Sequence, residues 1–377
     1  MTDATARLII AASEQDANLY YAARFLAPDP FIFLQVNGRR MLLMSDLEVD
    51  RARQQARVDE VLSISKLQAE LRQGGMAEPT TIDLVDAVLK RHQVRRVEVP
   101  GTFGVLYADR LRQRGYELLP RPEPFFEERL VKSDEEIGWI TEALRATEEA
   151  VECAIGVIRE SDIAADGTLT VRGQPLTAEM IKRVINVKLL ERDCIGQHTI
   201  VACGTQGCDP HNEGSGPLQA HQPIILDVFP RSERTRYFAD LTRTVVRGRA
   251  SDMIRRMYDA VAEGQEIAFR QIRDGADGKA IHMAIMRRFK ELGFHTGERD
   301  GRMQGFFHGT GHGVGLDIHE PPRISGGGQI LRTGHAVTVE PGLYYTEAGG
   351  GIRLEDLVVV TPTGCQNLTQ IPKVLEV

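Results

Sequence analysis

The sequence lacks any long apolar run. No apolar stretch approaches the roughly 18 residues that indicate a transmembrane helix, and the N-terminal segment has no charged stretch followed by a signal-like apolar core. We therefore expect no membrane association and, by default, a cytoplasmic location. A basic tail or stripe is also missing, and 46 basic against 53 acidic residues give a net charge of −7. This balance argues against nucleic acid as a partner.

Cysteine is scarce. The five cysteines, an odd number without the spacing of a disulfide framework, suit reduced thiols in a reducing compartment. Cys203 and Cys208 precede His211, which is compatible with a zinc site. One cysteine pair with one histidine is a weak signal for zinc, and the sequence favours the alternative that both cysteines pack in the wall of a cleft.

The chain of 377 residues exceeds a usual single core, and 42% hydrophobic with 26% charged residues is ordinary for a globular protein. We predict an N-terminal α/β domain over residues 1–128 and a second domain over 129–377, divided after the proline-rich segment 120–124. In the first domain, Asn37-Gly38 is a preferred two-residue hairpin turn. Strands are predicted at 7–12, in the hairpin 31–44, and at 61–65, 96–99 and 116–119, and helices at 46–56, 80–92 and 105–114.

The second domain begins with a helix signal. Ser133-Asp-Glu-Glu136 has the pattern of a capping box, and apolar residues at helical spacing follow it from Ile137 to Ile158. Further amphipathic helices are predicted at 177–191, 251–273 and 279–292, the last ended by Gly293.

Four acidic residues occur in strand-like surroundings in the C-terminal part. Asp227 ends the apolar run Pro-Ile-Ile-Leu, and Asp240 lies 13 positions later in a β-branched segment, so the two fit a hairpin. Alternation along the strand places Thr242 on the face of Asp240. Glu340 precedes Pro-Gly, and Glu355 lies in Gly-Ile-Arg-Leu-Glu-Asp. Arg353, two residues before Glu355, is expected to orient a ligand carboxylate.

A glycine-rich segment adds three histidines within 12 residues, His308, His312 and His319. Glycine lets the backbone approach a ligand closely. Carboxylates converging in a core repel one another unless cations neutralise them. With one imidazole and no thiolate, such a set suits two divalent ions of the Mn²⁺, Co²⁺, Zn²⁺ or Fe²⁺ type, with Mn²⁺ favoured, rather than structural zinc. An ion pair of this kind can activate a shared water for hydrolysis.

These motifs resemble those of the pita-bread metallopeptidases, and within them those of prolidases and Xaa-Pro aminopeptidases. The resemblance is strong over residues 129–377 and rests on His312-Gly-Val-Gly-Leu-Asp-Ile-His319-Glu, Asp227, Asp240-Leu-Thr-Arg-Thr, Glu340-Pro-Gly and Arg353-Leu-Glu355-Asp. It implies an α/β (α+β) protein: a creatinase-like N-terminal α/β domain, then a pita-bread catalytic domain with two pseudo-symmetric units around a curved antiparallel sheet. A homodimer through the N-terminal domains is also implied.

The resemblance assigns roles to individual residues. The metal ligands are Asp227 for one ion, Asp240 and Glu355 as bridging ligands, and His312 and Glu340 for the other ion. Glu340 also matches a proton shuttle, while His319 and His211 match histidines that contact the substrate carbonyl or line the cleft. For substrate binding, His308 matches a cleft histidine of aminopeptidases P, and Arg323 matches the prolidase arginine that binds the substrate carboxylate. Arg353 also enters the predicted substrate-binding set.

The chain departs from the family pattern around Asp227, where His221-Gln222-Pro223 replaces the usual Gly-Asp and the interval to Asp240 is about two residues longer than usual. This insert contains Arg231, Arg234 and Arg236, and we predict that it is a solvated turn.

We expect hydrolysis of Xaa-Pro bonds in dipeptides or short peptides by a metal-bridged hydroxide. The alternatives are an Xaa-Pro aminopeptidase on longer peptides, another pita-bread metal enzyme such as a lyase or creatinase-like amidinohydrolase, and a non-catalytic interaction protein. The complete ligand set disfavours the amidinohydrolase and the interaction protein.

Overall fold

The computed structural model describes residues 4–377, and the chain forms two compact units, one ending at Arg129 and the other beginning at Leu130. Across the described residues no helix is both long and apolar enough to cross a membrane.

The first unit is one mixed sheet with helices. Its strands are β1 (Ala4–Ala11), β2 (Phe31–Val36), β3 (Arg39–Met44), β4 (Glu60–Ser63), β5 (Val94–Pro100) and β6 (Glu117–Arg121). Its helices are α1 (Ala17–Ala23), α2 (Val49–Gln55), α3 (Ile64–Gln73), α4 (Thr81–Arg91) and α5 (Val105–Gln113). The strand order is β4-β3-β2-β1-β5-β6, in which β2 runs antiparallel to both of its neighbours and the other three neighbouring pairs are parallel.

Alternating side chains of this sheet enter two cores. Leu8 packs in one apolar cluster with residues of α3, α4 and α5, and Ile9 packs in the other with residues of α1 and α2. The period of two along each strand therefore lets helices cover both faces.

The sequence predicted the hairpin of the first unit correctly. Asn37 and Gly38 have φ of 49° and 82°, the left-handed values that a two-residue turn of this kind requires. The strand predicted at 61–65 was too long, because Ser63 accepts a hydrogen bond from the Lys66 N–H and so begins α3. Neither α1 nor α3 was predicted.

The second unit contains four α-helices and seventeen strands among the described residues. The helices are α6 (Asp134–Glu160), α7 (Ala178–Leu190), α8 (Asp252–Gln271) and α9 (Gly278–Glu291). The strands are β7 (Asp162–Ile163), β8 (Leu169–Val171), β9 (Gln174–Pro175), β10 (Cys194–Ile195), β11 (Ile200–Cys203), β12 (Pro223–Val228), β13 (Arg231–Ser232), β14 (Leu241–Val246), β15 (Gly297–Arg299), β16 (Arg302–Gln304), β17 (Gly311–Gly313), β18 (Glu320–Ile324), β19 (Ala336–Val339), β20 (Gly342–Tyr345), β21 (Gly350–Arg353), β22 (Asp356–Val360) and β23 (Cys365–Asn367).

The order of elements repeats within this unit. Helices α6 and α7 are followed by the antiparallel set β11-β12-β14, and α8 and α9 are followed by the antiparallel set β18-β17-β19-β22-β23. The main apolar core of the second half lies between α8, α9 and the strands from β19 to β22. The unit therefore consists of two halves, each with a pair of helices followed by an antiparallel sheet. The four acidic residues predicted as metal ligands lie on or beside the strands of these two sheets.

Helix boundaries in this unit follow the predicted signals. The Ser133 side chain accepts from the Glu136 N–H while the Glu136 carboxylate accepts from the Ser133 N–H, which is a complete capping box at the start of α6. Gly293, two residues beyond α9, has φ of 89° and ends that helix as predicted.

Candidate metal centre and cavity

The five predicted ligands lie on or beside strands of the two sheets. Asp227 lies within β12 and pairs in register with Thr242 of β14, the hairpin-like arrangement predicted from their spacing. Asp240 directly precedes β14, and His312 is the central residue of β17. The two glutamates occupy interruptions between strands, Glu340 after β19 and Glu355 between β21 and β22.

These side chains converge. Nε2 of His312 lies 3.2 Å from Oε1 of Glu340 and 3.6 Å from Oδ2 of Asp240. Asp240, His312 and Glu355 each offer a ligand atom within 4.8 Å of the other two. Asp227 and Glu340 lie outside this group of three, but they line the same cavity.

The electrostatics show why a cation would be stabilising here. Burial, followed by the charge of the neighbouring carboxylates, raises the pKa of Asp240 and of Glu355 well above the ordinary values. Burial also raises the pKa of Asp227. Burial opposes ionisation of Glu340 as well, but the hydrogen bond and charge of His312 lower its pKa to about 2. Without a cation, the carboxyls therefore compete for protons instead of all being ionised.

The donor set fits divalent metal ions. Oδ1 of Asp227 is buried and makes no hydrogen bond within residues 4–377, so a lone pair is left for a ligand bond. Nδ1 of His312 lies 3.2 Å from the Gly313 carbonyl and donates its hydrogen there, so Nε2 is the nitrogen that faces the carboxylates and would bind a metal ion in place of its proton. Four carboxylates and one imidazole, all largely buried, match an oxygen-rich divalent site.

Two side chains hydrogen-bond to predicted ligands and so orient them. The buried Arg353 guanidinium donates to Asp227 Oδ2 at 2.5 Å, and the Thr242 hydroxyl donates to Glu355 Oε2 at 2.7 Å. The predicted support from Thr242 is therefore present, although it acts on Glu355. Arg353 also donates to the Tyr344 hydroxyl at 3.0 Å. These contacts favour a ligand-orienting role for Arg353 over direct substrate contact.

The ligands line a cavity of about 940 Å³, which is large enough for a short peptide. His211, His308, His319 and Arg323 line the same cavity. The wall also contains apolar side chains, among them Ile200, Phe229, Phe307 and Ile318. The structure therefore brings together every site residue predicted from the sequence.

The histidines of the cavity differ in their partners. Burial lowers the pKa of both His308 and His319 to about 4, so both are neutral near pH 7. The His319 ring stands perpendicular to that of His312, with centroids 4.4 Å apart. Nδ1 and Nε2 of His308 lie 2.8 Å from the Gly309 carbonyl and from the Tyr344 hydroxyl, so protein groups occupy both of its nitrogens. His211 is exposed.

Arg323 lies on β18 opposite His312 of β17. Its side chain is exposed and, in the part of the chain that the structure describes, makes no ion pair with a carboxylate. A guanidinium in this position is available to a carboxylate of a bound molecule.

Two minor predictions were wrong. The insert 231–236 is not a solvated turn throughout: Arg236 is buried and pairs with Glu233 at 3.0 Å, and Arg231 lies over the Phe238 ring. The reason is that β13 pairs with β10, which holds the segment against the unit. Cys203 and Cys208 do not line the cavity, and neither belongs to a metal-binding group of three within the described residues.

Several residues of the site were missed. The Tyr344 hydroxyl forms hydrogen bonds with both Arg353 and His308. The buried side-chain amide of Gln265 donates to the backbone carbonyls of the residues that directly precede Glu340 and Glu355. The Thr338 hydroxyl accepts a hydrogen bond from the His312 N–H at 3.0 Å. Tyr344 and Thr338 are ordinary strand residues in sequence, and Gln265 lies on a helix distant in sequence from the ligands. Only the fold places these three beside the site.

Known proteins resemble this chain in sequence and in fold. The model of metallopeptidase family M24 matches residues 138–362. The Xaa-Pro dipeptidase of Pyrococcus furiosus is 30% identical over 249 residues, which are 66% of this chain and 65% of that protein. The chain thus spans just under two thirds of that relative.

Solved structures match over nearly the whole chain. The X-Pro aminopeptidase of Thermotoga maritima superposes with a TM-score of 0.80 at 24% identity, covering 99% of this chain and 97% of that one. The Xaa-Pro dipeptidase of Bacillus anthracis gives a TM-score of 0.81 at 24% identity, covering 100% and 95%. At this identity the matches establish the fold alone.

The chain belongs to metallopeptidase family M24. The family predicted from the sequence is confirmed, as is the α/β, pita-bread fold class.

Proposed function

We propose that this protein hydrolyses the Xaa-Pro bond of dipeptides or short peptides with two divalent metal ions. The observation that carries the proposal is the convergence of four carboxylates and one imidazole at a cavity that also contains a guanidinium without an ion-pair partner among the described residues. The carboxylates can hold cations, and Arg323 can bind the C-terminal carboxylate of a short substrate.

The residues that would hold the ions are Asp227, Asp240, His312, Glu340 and Glu355. When bound, such ions lower the pKa of a water and polarise a carbonyl. Mn²⁺ is the favoured metal because the donors are mostly carboxylate oxygens. A homodimer and a cytoplasmic location stay predictions.

The protein's own groups account for binding and proton movement. The nitrogen of proline in an Xaa-Pro bond carries no hydrogen, so it must receive a proton to leave as an amine. Glu340, whose pKa is low, is ionised near pH 7 and can accept a proton from the attacking water and return it to that nitrogen. His319, neutral near pH 7, and His211 can donate N–H groups to the developing oxyanion.

Xaa-Pro aminopeptidase activity on longer peptides is the second candidate. It is supported by the position of His308 in the cavity and by the structural similarity to the T. maritima X-Pro aminopeptidase. The two candidates differ in what Arg323 meets: a free carboxylate in a dipeptide, or a continuing chain.

Hydrolysis of three matched substrates tests the proposal. An Xaa-Pro dipeptide, its C-terminally amidated analogue and an Xaa-Pro-containing pentapeptide should be assayed with Mn²⁺ and after dialysis against a chelator. We expect chelation to abolish all hydrolysis and the free dipeptide to have the highest kcat/KM. If the pentapeptide is the preferred substrate, the protein is an Xaa-Pro aminopeptidase and not a dipeptidase. If none of the three substrates is hydrolysed after Mn²⁺ is restored, Xaa-Pro peptidase activity is contradicted.

A further inference from the structure

Both glutamates of the proposed centre lie where a strand is interrupted. Glu340 directly follows β19, and Glu355 lies with Leu354 between β21 and β22. Backbone groups at such an interruption lose regular ladder partners, and a buried carbonyl without a partner is destabilising. Other parts of the fold must therefore supply donors at these two points.

The side-chain amide of Gln265 supplies a donor to both. Its Nε2 donates to the carbonyl of Val339 at 2.8 Å and to the carbonyl of Leu354 at 3.1 Å. These carbonyls belong to the residues directly before the two glutamates. Gln265 lies on α8 with 0% of its surface exposed, so water does not compete for its two N–H groups.

The orientation of this amide follows from its neighbours. If the Gln265 amide were flipped, Oε1 would lie against two carbonyl oxygens. All three atoms are hydrogen-bond acceptors, so no hydrogen bond could form. In the orientation present, Oε1 is buried and has no hydrogen-bond partner within the described residues. A methionine of similar volume would avoid that unsatisfied oxygen, so apolar packing alone does not explain an amide at this position.

The remaining backbone groups of the glutamates are held by other elements. The Glu340 N–H donates to the Thr310 carbonyl at 2.7 Å, and the Glu355 N–H donates to the Thr242 carbonyl at 3.1 Å. The buried guanidinium of Arg243 donates to the Glu355 carbonyl at 2.7 Å. Of these groups, Gln265 is the one that joins both interruptions.

We propose that Gln265 is a positioning residue that fixes the separation of the Glu340 and Glu355 backbones, and so tunes the affinity of the site for divalent metal ions. The inference rests on the proposed metal centre. Without the two hydrogen bonds, each interruption can shift independently, and the carboxylates no longer present one preorganised set of ligands.

Metal titration of Gln265→Met tests this inference. Val261→Ala is the matched control, because Val261 is equally buried one turn earlier on α8 and its loss should lower thermal stability without removing a donor. Affinity for Mn²⁺ would be measured by calorimetry on metal-depleted protein, with folding checked by circular dichroism and thermal unfolding in chelator. We expect Gln265→Met to bind Mn²⁺ about 10–100-fold more weakly, and Val261→Ala to bind it like the wild type.

If Gln265→Met does not fold, Gln265→Asn keeps the test possible, since its amide is one methylene shorter and cannot reach both carbonyls. The inference would be overturned if a folded Gln265 variant bound Mn²⁺ with wild-type affinity. It would also be overturned if Val261→Ala lost as much affinity as the Gln265 variant. Either result would leave the proposed metal centre intact. Failure of the wild type to bind Mn²⁺ would overturn the proposed centre and the inference together.

Discussion

Removal of either member of the buried Lys132–Glu320 ion pair should strongly destabilise the second unit. Lys132 Nζ lies 2.6 Å from Glu320 Oε1, and their side chains are 2% and 3% exposed. Glu320 begins β18 and directly follows His319 of the cavity. Because both groups are buried, Lys132→Met removes the positive charge beside the Glu320 carboxylate, and Glu320→Gln removes the negative charge beside the Lys132 ammonium.

The expected magnitude follows from this burial. Breaking a buried pair by removing one partner costs about 3–5 kcal/mol, whereas replacing both partners by apolar groups is often neutral or stabilising. For a unit of this size each kcal/mol corresponds to roughly 2–4 °C in Tm, so each single variant should unfold about 6–20 °C lower. The double variant Lys132→Met, Glu320→Leu should recover most of that loss.

Urea unfolding and calorimetry of the wild type, both single variants and the double variant form a complete cycle. The exposed pair Arg288–Glu263 serves as a control, since solvent screens it and its removal should change stability little. The reasoning is refuted if each single variant loses less than about 1 kcal/mol, or if the double variant loses the sum of the two single losses.

Three further predictions concern the cavity and pH. Arg323→Ala should lower kcat/KM for a free-acid Xaa-Pro dipeptide, by an amount that corresponds to about 1.5–3 kcal/mol of transition-state stabilisation, because a hydrogen bond to a charged group is lost. The amidated analogue should be affected little. Equal losses on both substrates would contradict the dipeptidase assignment. His319→Ala and His211→Ala should keep their metal but lose about 10²–10³ in rate; elemental analysis finding either variant metal-free would make that residue a ligand. Burial lowers the pKa of His335 from 6.5 to about 4, so the unfolded chain takes up a proton at a higher pH than the folded chain. The free energy of unfolding is therefore unaffected by His335 above about pH 6.5 and falls as the pH is lowered towards 4, by at most about 3 kcal/mol. In His335→Gln, the free energy of unfolding measured in urea should depend less on pH over that range. An unchanged pH dependence would show that His335 does not titrate in this way.

The five proposed ligands, which the structure brings to one cavity, could be singled out in the sequence because each lies in a short local motif. Asp227 and Asp240 are beside apolar β-branched runs, and His312 is in a glycine-rich segment, so the kinds of residue and their spacing are informative without a fold. The capping box at Ser133 and the Asn37-Gly38 turn were predictable for the same reason, since each depends on residues a few positions apart.

The supporting contacts could not be predicted because they join residues distant in sequence. Gln265 meets Val339 and Leu354 only after α8 packs on the strands, at sequence separations of 74 and 89 residues. Lys132 and Glu320 are 188 residues apart. The burial of Arg236 depends on the pairing of β13 with β10, which two-residue strands do not reveal by periodicity.

The central claim is most directly tested by counting metal ions in the wild type, Asp240→Asn and Glu355→Gln by elemental analysis after reconstitution with Mn²⁺, alongside Xaa-Pro dipeptide hydrolysis. The resemblance to prolidases assigns Asp240 and Glu355 as ligands of both ions, so loss of either charge should disrupt the pair. We expect about two ions per wild-type chain, with metal loading and activity lost in both variants. Full occupancy in both variants would contradict the proposed centre.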